Sequence, residues 1–228
     1  APASGGGLHL EGGATAEVRD RASLRTNTAA YGGCASVTSG ASLVIRDDVE
    51  LTACNASLGG GGLYVDDALF TALGAARIDQ CVAPSGGGAY STGSNALIEL
   101  GGTSRVVNST AALDASDSTR SGGGVHATSD SRVLIASSAT VRQNHAAYGG
   151  GLSLVDGGSA RVLGTIESNL ADYGAGVCAL SGGSLVLDGD AGVRENEASA
   201  DGAGVYAWAS SVIMRGRSSI SNNTGTTE

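Results

Sequence analysis

The chain has 228 residues, of which 38 are glycine and only 4% are aromatic, so a conventional core built on large side chains is excluded and small residues must pack in a regular way. Its formal charge is −9 and every basic residue is Arg; an acidic balance without basic clusters argues against nucleic acid and anionic lipid as partners. Apolar runs stay far below the ~20 residues of a membrane span, so no span is expected in this segment.

Taken in chain order, Gly-rich triplets begin at Gly5, Gly32 (with Cys34 in third place), Gly60, Gly86, Gly122, Gly149, Gly174 and Gly202, at intervals of 27, 28, 26, 36, 27, 25 and 28 residues. Self-similarity at such a period is the mark of a solenoid. Each triplet is followed by an apolar pair at period two, as in Leu8/Leu10, Leu63/Val65, Leu152/Leu154 and Val205/Ala207. A second such pair follows, among them Ala16/Val18, Leu43/Ile45, Phe70/Ala72, Ile98/Leu100, Val133/Ile135, Leu185/Leu187 and Val212/Met214. Period two means strand, and no stretch has the length or periodicity of a helix.

Each copy then closes on a third marker, L/I/V-x-x-N-x-A. Its third-strand aliphatics are Leu24, Leu51, Ile78, Val106, Val141, Ile166, Val193 and Ile220. The polar position after each reads Asn27, Cys54, Cys81, Ser109, Asn144, Asn169, Asn196 and Asn223. Three short strands per copy cannot enclose a core alone, so each copy must bury its apolar face against the next. The expected fold is all-β, a right-handed parallel β-helix of about eight coils spanning 1–228 as one domain, with equivalent residues stacked at about 4.8 Å. Asn at the bend is expected to bond the Asn above and below, forming an inward polar ladder.

The pairing of L/I/V-x-x-N-x-A with a Gly-Gly-Gly-aliphatic turn resembles the repeats of polymorphic outer-membrane proteins, which pair F-x-x-N with G-G-A-I. The resemblance covers the whole chain, with an aliphatic residue in place of the Phe. It implies a right-handed parallel β-helix displayed at a cell surface in adhesion.

Stacking the copies turns single residues into columns. Cys54 and Cys81 take the same ladder position in consecutive coils, close enough for a disulfide. Cys34 and Cys178, five coils apart, cannot reach each other and are expected to be free or bonded to another chain. Sequons at Asn55, Asn108 and Asn222 flank ladder positions, face outward and permit N-glycosylation. The outward column after the glycines reads His9, Ser36, Tyr64, Tyr90, His126, Ser153, Cys178, Tyr206, which keeps the two His apart and forms no acid/base pair. Tyr64/Tyr90 and Tyr148/Tyr173 are expected to stack between adjacent coils. Arg142, Glu167 and Arg194 alternate in sign down the rod, Asp188 sits beside Arg215, and Asp20, Asp47/Asp48 and Asp66/Asp67 read as solvated charge rather than a metal site. The 36-residue copy should loop out over 112–121, and neither end shows a cap, so a longer solenoid or filament is expected.

The function these columns point to is a non-catalytic, extracellular structural or adhesive module needing no cofactor. Its partners would be neighbouring solenoid segments or like subunits end to end, and glycans or other cell-surface molecules. The alternative is a carbohydrate-binding or polysaccharide-cleaving β-helix enzyme, an architecture that would need clustered carboxylates on one face.

Overall fold

A computed structural model describes residues 3–111 and 121–226. The expected loop over 112–121 lies outside the described residues except for Ser121, which pairs with Tyr148 of the next coil. The chain winds as a right-handed parallel β-helix with three eight-stranded parallel sheets, one strand per coil in each. Coils are numbered 1 to 8 from Ser4, Tyr31, Gly59, Ser85, Ser121, Tyr148, Tyr173 and Asp201, the residues just before the Gly triplets. The first sheet runs from Leu8–Leu10 to Val205–Trp208, the second from Thr15–Val18 to Ser211–Met214, and the third from Ser23–Arg25 to Ser219–Ser221.

The register follows the columns read from the sequence. Ala16, Leu43, Phe70, Ile98, Val133, Ala160, Leu185 and Val212 align without a slip through the second sheet. Size is shared between neighbouring inward positions: Phe70, the chain's one Phe, is followed inward by Ala72, and both are buried. Interiors packed to crystal-like density demand such compensation. The sequence reading needs one addition, because the residues after the ladder position also pair, giving short parallel ladders at Thr28–Tyr31, Asn55–Gly59, Val82–Ala83 and Thr110–Ala111, and again at Leu170–Ala171, Glu197–Ala198 and Thr224–Gly225.

The bend before the ladder is made by a non-glycine residue in the left-handed region in every coil: Thr26, Ala53, Gln80, Asn108, Gln143, Ser168, Glu195 and Asn222, with φ between 51° and 56°. That conformation costs a side-chain-bearing residue about 1–2 kcal/mol. In coils 1 to 7 the bend's N–H donates to the carbonyl ending the third-sheet strand of the next coil, which helps hold it, as Gln143 does to Glu167 at 3.3 Å and Ser168 to Arg194 at 3.2 Å.

Candidate functional site

The ladder is the polar spine of the rod. The Asn169 side-chain oxygen accepts the backbone N–H of Asn144 at 3.0 Å and its side-chain amide at 3.1 Å, while the Asn169 amide donates to Asn196 Oδ1 at 2.9 Å and the Val141 carbonyl at 3.2 Å. The same pattern carries on through Asn196 to Asn223, and Asn144 in turn accepts the backbone N–H of Ser109 at 2.9 Å. Ser109 continues the chain by accepting the Cys81 N–H at 3.3 Å. Asn144, Asn169 and Asn196 are buried, and each finds its partners in an adjacent coil, as buried amides require.

The ladder also explains the third glycine of each triplet. A Cβ at Gly151 would lie 2.9 Å from the Asn169 Nδ2 and 2.6 Å from the Gly176 carbonyl; at Gly124 it would meet the Asn144 Nδ2 at 2.9 Å. The third place faces the ladder residue of its own coil, so a side chain there fits only if the ladder residue gives way. Coil 2 is the one coil with a side chain in that place, Cys34, and its ladder residue is Cys54. The two form a disulfide with Cα atoms 5.4 Å apart.

This corrects two expectations. Cys54 bonds across its own coil to Cys34 and not along the rod to Cys81, and Cys34 is not free. Cys81 is a buried free thiol that donates to the Asp79 carbonyl at 3.3 Å, with burial pushing its pKa up to about 11. Asn27 stands at the ladder position of coil 1, its amide against Gly7.

The sequon residues Asn55, Asn108 and Asn222 are all exposed. The Asn108 amide donates to Asp79 Oδ1 at 3.1 Å. Arg194 pairs with Glu167 at 2.7 Å as the column reading expects, but Asp188 pairs with Arg161 at 2.7 Å and not with Arg215 beside it. The acidic groups serve inter-coil contacts: Asp47 accepts the Asp20 N–H at 3.2 Å and Asp67 the Asn95 N–H at 3.0 Å.

What the sequence reading missed is an aromatic strip along the first sheet. The outward column from His9 to Tyr206 stacks in register as expected. Five residues before it runs a second column: Ser4, Tyr31, Gly59, Ser85, Ser121, Tyr148, Tyr173 and Asp201. Every coil carries one ring, at one of these two positions, and a Ser, Gly, Cys or Asp at the other. The compensation is steric, because rings of both columns lean into the same strip. Tyr31 meets Tyr64 across the columns at 4.7 Å and Tyr173 meets Tyr206 at 5.4 Å, while a Cβ on Gly59 would lie 3.2 Å from the Tyr90 ring. Within columns the expected stacks form, Tyr64 on Tyr90 at 5.6 Å and Tyr148 on Tyr173 at 5.1 Å. The signal was legible as an either-or pattern at positions i and i+5, invisible when either column is read alone.

The strip changes column four times, between His9 and Tyr31, between Tyr31 and Tyr64, between Tyr173 and Tyr206 and, in mid-rod, between His126 and Tyr148. A groove of about 620 Å³ lies at the mid-rod change, lined along the strip by Ser85, Tyr90, Ser121, His126, Tyr148 and Tyr206, and on its other side by Thr128, Val155, Asp156, Leu180 and Trp208. His126 is buried against Tyr90, with ring centroids 4.9 Å apart, and its Nδ1 has no hydrogen-bond partner. Burial holds its pKa down at about 4, so the ring is neutral at physiological pH.

Fold and face together define a right-handed parallel β-helix with a polar spine on one side and an aromatic strip on another. No known family, curated protein or solved structure matches the chain.

Proposed function

We propose that this chain is a non-catalytic β-solenoid rod of an extracellular or cell-surface protein, which spaces and displays a binding face. The observation that carries this reading is the engagement of the repeated polar positions in holding coil to coil: the Asn ladder, the carboxylate-to-amide contacts and the ion pairs all join successive coils. The Cys34–Cys54 disulfide fits an oxidising compartment, where such bonds form and persist. The resemblance to surface-displayed repeats points the same way. Like coils stacking end to end are the partners this reading calls for, because inward columns in one register accept a further coil without change.

The test is made on producing cells. Antibody against the chain should label intact, unpermeabilised cells, and the protein recovered from them should carry a Cys34–Cys54 peptide pair under non-reducing digestion. Labelling only after permeabilisation, with both thiols free, would remove the surface assignment. Turnover of a polysaccharide by the purified chain would overturn the non-catalytic part.

A further inference from the structure

We propose that the mid-rod groove beside His126 and Tyr148 binds a neutral, extended oligosaccharide. The proposal deepens the adhesive side of the reading above and rests on it.

Four observations carry it. The first is ring faces. Tyr148 and Tyr173 lie nearly parallel, 9° apart, so Tyr173 covers one face of Tyr148; among the described residues no ring stacks on the other, and Tyr148 lines the groove. Coil 5 carries the small Ser121 in the position that Tyr148 and Tyr173 occupy in theirs. A flat, partly apolar sugar ring is the kind of partner that packs on such a face.

The second is shape and size. The groove runs along the rod axis from Tyr90 in coil 4 to Trp208 in coil 8, four coil spacings of about 4.8 Å each. A sugar unit in an extended chain advances by close to one coil spacing, so a short oligosaccharide lies in step with the coils. The groove's volume of about 620 Å³ is in the range of pre-formed ligand sites.

The third is polarity. Val155, Leu180 and Trp208, paired in successive coils, form an apolar wall, and Trp208 is 62% exposed. Hydroxyls of Ser85, Ser121, Thr128 and the tyrosines, with the Asp156 carboxylate, lie among them. A few polar groups on an apolar, aromatic lining suit a polyhydroxylated ring whose faces are apolar and whose rim is polar.

The fourth is charge. Among the described lining residues Asp156 is the one carboxylate, and no Arg is present. In a chain of net charge −9 this disfavours uronic or sialic acids and leaves neutral sugars.

Trp208 is the chain's one tryptophan, so its emission reports on the groove directly. Titration of the whole chain with cellohexaose and with hexa-N-acetylchitohexaose should give saturable change for at least one, while hexagalacturonate gives none. Calorimetry on Tyr148→Ala should then show roughly tenfold weaker binding, with Tyr148→Phe close to the parent because the ring face is retained, and with Tyr148→Ala, which loses the stack on Tyr173, melting somewhat lower but fully folded at the assay temperature. Saturable binding of hexagalacturonate with none of the neutral sugars, no binding of any probe, or binding that Tyr148→Ala leaves intact would each overturn the site. Surface labelling of producing cells separates the two readings: a rod that is displayed but binds no probe loses the groove proposal alone, whereas a chain found only inside cells loses the surface reading on which it rests.

Discussion

Replacing Asn169 by Ala tests the ladder where it is most enclosed. The substitution removes four bonds of 2.9 to 3.2 Å, but the loss is unequal among the partners. Asn144 keeps one donor bond from its side-chain amide, to the Val106 carbonyl at 3.1 Å, and Asn196 Oδ1 keeps the backbone N–H of residue 169 at 3.0 Å. The backbone N–H of Asn144 keeps nothing, in a site 1% exposed. One orphaned buried donor costs about 1–3 kcal/mol and each weakened partner less, so the expected total is about 3–4 kcal/mol. Asn223→Ala removes the same kind of bond to the Asn196 N–H, at 3.0 Å; that donor is buried too, but what covers it is a half-exposed residue of coil 8, so water reaches it once the amide is gone and about 1 kcal/mol is expected. Urea unfolding at 25 °C followed by far-ultraviolet circular dichroism compares the two variants, and amide exchange at residue 144 reads the broken bond locally. Equal destabilisation by both variants, or unchanged protection at residue 144, would refute the ladder as the source of stability.

Three further outcomes follow from the same contacts. Reduction, or Cys34→Ser, opens a link across 20 residues and should lower stability by about 3 kcal/mol, while Cys81→Ser should leave the non-reducing peptide map unchanged. Gln143→Gly relieves a left-handed φ of 56° and should raise stability by about 0.5–1 kcal/mol net of the freer unfolded chain, measured as a higher urea midpoint; a lower midpoint contradicts the strain assignment. His126 has its folded pKa lowered to about 4 from 6.5, so between these values the unfolded chain binds the extra proton and stability must fall as pH drops through 6.5 toward 4. The full loss is about 3 kcal/mol; it should show in urea midpoints at pH 7.5, 6 and 5, and His126→Phe should flatten that slope above the range where carboxylates titrate.

The sequence alone determined the winding. Gly triplets at near-constant intervals, apolar pairs at period two and the L/I/V-x-x-N-x-A marker are local, one-dimensional signals, and their stacking follows because a coil with three short strands has nowhere else to bury its apolar face. The alignment of His9 through Tyr206, the Tyr64–Tyr90 and Tyr148–Tyr173 stacks and the Asn144–Asn223 ladder were therefore legible before any coordinates. Closure of each coil was not. Which residues meet across the interior depends on how the three sheets and their bends bring residue 34 opposite residue 54, a relation between positions 20 apart that column-by-column reading along the axis does not contain. For that reason the columns point Cys54 to a partner in the next coil, Cys81, and not to Cys34. The aromatic strip has the same origin: its two columns are five residues apart in sequence, and only the turn at the glycines tilts their rings into one strip. The groove lies where rings of coils 4 to 6 and of coil 8 face the wall of Val155, Leu180 and Trp208, a juxtaposition of positions far apart in sequence that only the tertiary structure decides.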